Sequence, residues 1–438
     1  YIGRPQGAGA TFFDVERVEI LRGPQGTLYG RNANAGAVNV IPNKPSNKFE
    51  GAIATEGGNW GATKLEGMVN VPVSEAFALR AVVSQQKHDG YADTANATTG
   101  FSQDRDDKNN LSGRIQGLMR FSPSASLRVG IDTSHDTGAG RAMYDITNGA
   151  MPTSRTLNTQ VEGKLDNKSN GVTSELKYGL GSTDLVYVFG HRESARSEIN
   201  SLGAAPNVYA TYGETFKQDS HEMRLSSTDT GALQWVLGAY YYKEVGHNLD
   251  LDVMLPAAWG GGRAIHFVQD PATSESTAIF GQTTYALSPV LRATLGLRTT
   301  TDNKSREGQT RVGSADTPIG VVGNSAAGQW TSSTYHVGAE YDLSPTQMAY
   351  ATVSTGFKAG GFNDGNGVVG DPNYNASLYY KPETITSYEA GVKGRFFGNR
   401  VQLGASAFYY DYADLQKSAA VNNSLVTVNA GQARVSGV

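Results

Sequence analysis

At 438 residues with 53 glycines, 22 tyrosines and no cysteine, the chain excludes disulfide frameworks, thiol catalysis and cysteine-ligated metal centres together. Its longest apolar run, counting glycine, is the eight residues Trp235 to Tyr242, against the roughly 20 a membrane helix needs, and a net charge of -4 with dispersed Lys and Arg gives nucleic acid no footing. A hydrophobic content of 39 % and a mean hydropathy of -0.38 still admit a β-barrel, whose strands average one lipid-facing and one lumen-facing side.

The chain starts at Tyr1 without a signal-like segment and stops at Val438 in mid-pattern, so it reads as an internal piece of something longer. Residues 1–46 read as a small α/β unit. Asp14 is placed to cap a turn, Val15 to Leu21 mixes a helical start with a strand, and Gly23-Pro24-Gln25-Gly26 is turn chemistry. From Lys48 onward the pattern is strand. Leu291 to Arg298 puts apolar residues at every odd place and polar or small ones at every even place, a period of two. Leu111 to Met119, Leu127 to Asp132, Tyr335 to Asp342 and Val401 to Ala407 repeat it.

Short links near 73–76, 122–125, 180–183, 227–232, 288–290, 343–346 and 396–399 alternate with long ones near 88–107, 136–168, 199–215, 246–273, 303–329, 359–383 and 413–424. A soluble sandwich would make all its turns alike, whereas a transmembrane barrel has short turns at one end and long loops at the other. With a tight first hairpin at Asn59 to Gly61 the connections give about 16 strands. Phe121-Ser122-Pro123, Leu287-Ser288-Pro289 and Leu343-Ser344-Pro345 share one turn signature, in which proline ends a strand and presets the turn. Tyrosines gather towards strand ends, as in Tyr240-Tyr241-Tyr242 and Tyr409-Tyr410, where amphipathic rings suit a membrane interface.

Sequences suggestive of other chemistry fail on context. Gly365 to Gly370 fits GxGxxG but sits in a loop before Asp371-Pro372, with no strand before it and no helix after it. Gly260-Gly261-Gly262-Arg263 lacks the Lys-Ser/Thr of a phosphate loop. The seven histidines show no paired-ligand spacing, and Asp104-Arg105-Asp106-Asp107 reads as a solvated loop. No nucleophile, base and acid can be grouped, so no enzyme activity, resident metal or cofactor is expected.

One stretch is specific. Asp14-Val15-Glu16-Arg17-Val18-Glu19-Ile20-Leu21-Arg22-Gly23-Pro24-Gln25-Gly26-Thr27-Leu28-Tyr29-Gly30-Arg31-Asn32, continuing through Gly36-Ala37-Val38-Asn39-Val40-Ile41, closely resembles the end of the plug domain of TonB-dependent outer-membrane receptors. Gly356 to Asn363, Lys381-Pro382-Glu383, Tyr388 to Lys393 and Asn429 to Arg434 look like that family's barrel patterns, in the right order over essentially the whole chain.

The resemblance implies an all-β transmembrane antiparallel barrel, with about 16 of about 22 strands present. Residues 1–46 would be the C-terminal piece of a small α/β plug and residues 47–438 an incomplete barrel. It further implies a location in the outer membrane of a Gram-negative bacterium, the TonB complex of the inner membrane as partner and energy-coupled uptake of a large scarce ligand. A ferric siderophore leads on family prevalence, and cobalamin or an oligosaccharide is the alternative within the class. A passive porin is the alternative outside it, and the plug signature speaks against that. By analogy with charge contacts in the family, Arg22 and Arg31 are expected to lock onto the inward-facing Glu340 and Glu389, with Val337, Ala339, Tyr388 and Ala390 facing lipid. Arg141, Tyr144, Arg263, His266, Arg311 and Phe362 are the outer-loop candidates for ligand capture, since cations and aromatics suit anionic, catecholate-like or sugar ligands.

Overall fold

The structure, a computed structural model, describes residues 2–4, 12–96, 99–143, 155–157, 159–202, 207–255, 262–313, 318–363, 379–421 and 424–438. The N-terminal segment carries one antiparallel pair, β1 (Val15–Arg22) with β2 (Gly36–Pro42). Between them lies the four-residue helix α1 (Gly26–Tyr29). The expected helical start at Val15 is thus a strand. Residues two apart in β1 share a face, and its partner β2 lies beyond the turn, so local spacing could not decide the matter. Asp14 caps nothing; it takes a left-handed φ of 50° and turns its carboxylate elsewhere, as described below.

All the long strands belong to one antiparallel wall. It runs through β3 (Glu50–Gly57), β4 (Thr63–Pro72), β5 (Phe77–His88), β6 (Lys108–Ser122), β7 (Ala125–Gly138), β8 (Lys164–Gly179), β9 (Thr183–Ser201) and β10 (Tyr209–Ser227). It continues through β11 (Leu233–Leu255), β12 (Gly262–Ser288), β13 (Leu291–Gly313), β14 (Ala326–Ser344), β15 (Gln347–Lys358), β16 (Glu383–Phe396), β17 (Val401–Ala413) and β18 (Ala433–Gly437). The short strand Pro318–Gly323 is annexed to the end of β13. The strand order is that of a barrel, with β18 brought round next to β3. Extended ladders run from β3 through to β18, but among the described residues none joins β18 to β3, and β3 is exposed along its whole length. That junction is a seam without an extended ladder.

Alternation is what makes the wall two-sided. In β14, Thr334, His336, Gly338, Glu340 and Asp342 are covered while Tyr335, Val337, Ala339, Tyr341 and Leu343 are exposed. In β16, Glu389 is on the covered face and Tyr388, Ala390 and Val392 on the exposed one. Glu340 and Glu389 thus both lie on the covered face. An apolar outer face, with Ile279, Leu295, Leu297 and Leu403 open to the surroundings, is what hydrocarbon accepts and water does not.

The turns follow local chemistry. Trp60 and Gly61 both have positive φ, 55° and 60°, as a two-residue hairpin of the primed type requires. In the three Ser-Pro links the serine oxygen accepts a backbone N–H just beyond the proline, from Ser124, Val290 and Thr346 at 3.2, 3.4 and 3.3 Å. The long connections differ more from expectation. Most of 246–273 and 303–329 is strand, because β11, β12 and β13 run well past the apolar band.

Candidate functional site: contacts between the N-terminal segment and the wall

The N-terminal segment meets the inner face of the wall through polar groups. At its start, Asp14 receives two hydrogen bonds from Arg80 of β5: Nε to Oδ2 at 2.7 Å and Nη2 to Oδ1 at 2.5 Å. Both side chains are almost fully buried. Asn43 Nδ2 adds a bond to Asp14 Oδ1 at 2.9 Å, and beside it Phe13 packs on Val82 while Arg114 lies over the Phe13 ring at 4.5 Å.

After α1 the chain must approach the wall closely. Gly30 has a φ of 82°, and a Cβ there would stand 2.8 Å from Arg298 Nη2, so both backbone and space call for glycine. The next residue, Arg31, reaches Asp302 Oδ1 of β13 at 3.0 Å and Ser274 Oγ of β12 at 3.2 Å. Its guanidinium lies 4.8 Å from the Tyr242 ring centre. The Asp302 side chain has no exposed surface, and its second oxygen, Oδ2, has no hydrogen-bond partner. Further on, Asn32 N–H donates to the Phe357 carbonyl at 3.0 Å and Asn34 Nδ2 donates to Glu383 Oε1 at 2.9 Å. Near the chain start Arg4 pairs with Glu244 at 2.9 Å.

The expected lock is thus corrected in its partners. Arg31 does bind the wall, through Asp302. Glu340 is engaged by Arg292 Nε at 3.0 Å, its opposite number on β13, and Glu389 accepts from the Tyr350 hydroxyl at 2.6 Å. Arg22 is exposed, and its carbonyl accepts from Gln25 Nε2 at 3.1 Å. Each glutamate has a donor on its own neighbouring strand: Arg292 directly opposite Glu340, where opposed charges satisfy one another, and the Tyr350 hydroxyl diagonal to Glu389. Asp302 was missed because the period-two pattern stops being clean after Thr301; carried on by parity from Arg298 and Thr300 it points inward.

The outer-loop candidates whose side chains are described do not converge. Arg141 is exposed and its N–H donates to Asn200 Oδ1 at 3.4 Å. Tyr144 lies outside the described residues, as does the side chain of Arg263, whose backbone pairs with Met254. His266 and Arg311 face each other across β12 and β13. They lie on the face opposite the buried Thr310, so they turn away from the lumen, and His266 Nδ1 is 2.5 Å from Asp252 Oδ1. Phe362 sits apart, between Trp330 and Tyr379 with ring centres 5.6 and 5.4 Å away, and Arg306 lies 5.5 Å from its ring. In the acidic loop Asp106 and Asp107 accept backbone N–H groups of Ala142 and Ala139. Next to them in the chain, Arg105 is buried, its guanidinium donating to the Ala139 and Val161 carbonyls, and burial pushes its pKa down. Among the described residues no group of three or more His, Asp or Glu could hold a metal. The GxGxxG-like run lies outside the described residues.

Residues 85–438 match the family model described as TonB dependent receptor-like, beta-barrel. The pesticin receptor of Yersinia pestis is 25 % identical over 97 % of this chain and 60 % of its own length. The metal-pseudopaline receptor CntO of Pseudomonas aeruginosa is 25 % identical over the same shares. Among solved structures, the ferric yersiniabactin uptake receptor FyuA of Yersinia pestis superposes with a TM-score of 0.81 at 20 % identity, over 97 % of this chain and 63 % of that one. The siderophore receptor PiuA of Acinetobacter baumannii gives 0.72 at 15 %, over 97 % and 65 %. The chain spans about 60 % of the length of the curated relatives it matches.

Proposed function

Because this chain belongs to the TonB-dependent receptor β-barrel family, we propose that the whole protein imports a ferric siderophore across the outer membrane of a Gram-negative bacterium, powered by the TonB complex. Residues 1–46 are then the end of its plug and residues 47–438 its barrel wall. The carrying observation is the mode of attachment inside the wall. The segment is held by a few buried charge contacts, Asp14–Arg80 and Arg31–Asp302, over a largely polar inner face. Such contacts resist thermal release yet can be broken one at a time by a pulling force, whereas a dry interface would have to part all at once. A passive pore has no use for them.

The relatives' names speak for metal chelates over cobalamin or sugars. The test uses the full-length protein in a host lacking its own iron receptors, with radiolabelled ferric siderophores of several chelating classes beside cyanocobalamin and maltodextrins. Uptake of at least one ferric chelate should collapse when a protonophore removes the proton gradient. Uptake that survives the protonophore would mean a passive channel, and energy-dependent uptake of cobalamin or maltodextrin alone would keep the class and overturn the ligand.

A further inference from the structure

Resting on the reading of residues 1–46 as a plug, we propose that Glu383 is the positioning residue through which the outer hairpin at 416–429 holds or releases the plug segment at residues 32–34. Glu383 opens β16 and is 6 % exposed. Its two carboxylate oxygens serve two different bodies. Oε1 accepts from Asn34 Nδ2 of the plug at 2.9 Å and Oε2 accepts from the backbone N–H of Gln416 at 2.8 Å. Gln416 begins the hairpin formed by Gln416–Val421 and Ser424–Asn429.

That hairpin is tied into the same place from both ends. Gln416 Nε2 donates to the carbonyls of Ala359 at 3.0 Å and Lys381 at 2.9 Å. Asn429 Oδ1 accepts from Lys381 N–H at 2.7 Å. Farther out, Asn363 exchanges two hydrogen bonds with Thr427, at 2.8 and 2.7 Å. Ala359 in turn stands beside the plug, its N–H donating to Asn32 Oδ1 at 3.4 Å. The sequences Gly356 to Asn363, Lys381-Pro382-Glu383 and Asn429 to Arg434, which in the sequence stand out only as family patterns, thus supply one continuous network from outer hairpin to plug.

A carboxylate is an acceptor only, so Glu383 can hold both donors at once and orients the Asn34 amide by doing so. The arrangement is poised. Asn34 Oδ1 is buried without a partner, so its amide depends on the Glu383 bond, and each bond to the carboxylate is of the stronger, charge-assisted kind. When the hairpin shifts and withdraws the Gln416 N–H, the carboxylate is left with one oxygen unmet in a site nearly closed to water. It then gains by turning, at the expense of Asn34. A contact made outside would in this way loosen the plug inside.

The test measures amide hydrogen exchange in the full-length protein in detergent micelles with no ligand added. Asn363→Ala cuts the network at its outer end, at Thr427. It should speed exchange at residues 31–35 severalfold. Glu383→Gln leaves a single acceptor for two donors and should speed exchange about tenfold at both 31–35 and 414–418, the equivalent of one lost charge-assisted bond. Adding Asn34→Asp to Glu383→Gln swaps donor and acceptor: the introduced side-chain amide at position 383 donates to the introduced carboxylate at position 34, while the amide oxygen keeps the Gln416 N–H. Exchange should then return to near the parent value at both places. Exchange near Asp14, held by Arg80, should stay unchanged throughout. If Asn363→Ala or Glu383→Gln alters the hairpin and leaves 31–35 at the parent rate, or the swap fails to restore 31–35, the coupling is overturned. No arm contains ligand or an energy source, so a failure of the uptake reading would leave these outcomes intact and distinct.

Discussion

Asp302 has no exposed surface and holds Arg31 with one oxygen while the other goes unmet. Such a group is costly to bury, and its attraction to Arg31 offsets that cost only while both partners are present. Replacing it in the full-length protein by Asp302→Asn removes the negative charge that faces the Arg31 guanidinium at 3.0 Å. Breaking a buried pair from one side costs about 3 to 5 kcal/mol, and the loss should appear as faster exchange or proteolysis at residues 31–34, with the barrel's own unfolding nearly unmoved. Removing both charges by Arg31→Met with Asp302→Leu should cost less than Asp302→Asn alone. A loss below about 0.5 kcal/mol for Asp302→Asn would mean that the pair behaves as an exposed one. At this scale the sequence disclosed half of each contact. Arg31 stands out as a cation in a turn-rich segment, but its partner lies 271 residues away, and only the strand register can say which of many inward carboxylates it meets. Glu340 and Glu389 were equally inward. Donors on adjacent strands had already claimed them.

Strands were legible wherever alternation ran unbroken, and they failed where the backbone slips. In β11 the ladder to β12 is interrupted between Gly246 and Leu249 without a change of register, around Asn248 with its φ of 51°, and β12 slips against β11 between Val253 and Met254 and against β13 between Gln269 and Ala272. Each irregularity interrupts the period of two, so residues 246–273 look loop-like although they continue the wall. The same alternation makes a sharp prediction for the outer face. Leu295 of β13 is outward, on the apolar face of the alternating stretch Leu291 to Leu297, and its neighbour Thr294 is inward, sharing a hydrogen bond with Thr284 at 2.9 Å. Leu295→Arg should destabilise the barrel by about 2 to 4 kcal/mol if this level lies near the bilayer centre. Urea unfolding in lipid vesicles would measure it. A cost under about 1 kcal/mol would place Leu295 at an interface and require the membrane band to be redrawn along the wall.

At the scale of the whole molecule the seam between β18 and β3 decides what the wall is. Lipid offers no hydrogen bonds, so each unpaired amide at a sheet edge costs several kcal/mol there, and barrels exist because closure removes the edges. The curvature of the sheet already brings β18 round to β3, yet β3 is exposed along its length and β18 pairs with β17 over only Ala433 to Gly437. The family resemblance expects about 22 strands, which would set further strands in this junction. Amide exchange separates the cases. In the 438-residue chain taken alone, β3 and β18 should exchange far faster than β11, β12 and β13, whose ladders are long on both sides. In the full-length protein both should become as slow as the rest. Protection of β3 in the short chain equal to that of β12 would show that the two ends lace directly into a smaller closed barrel. That barrel could insert by itself, and the expectation of missing strands would fall with the seam.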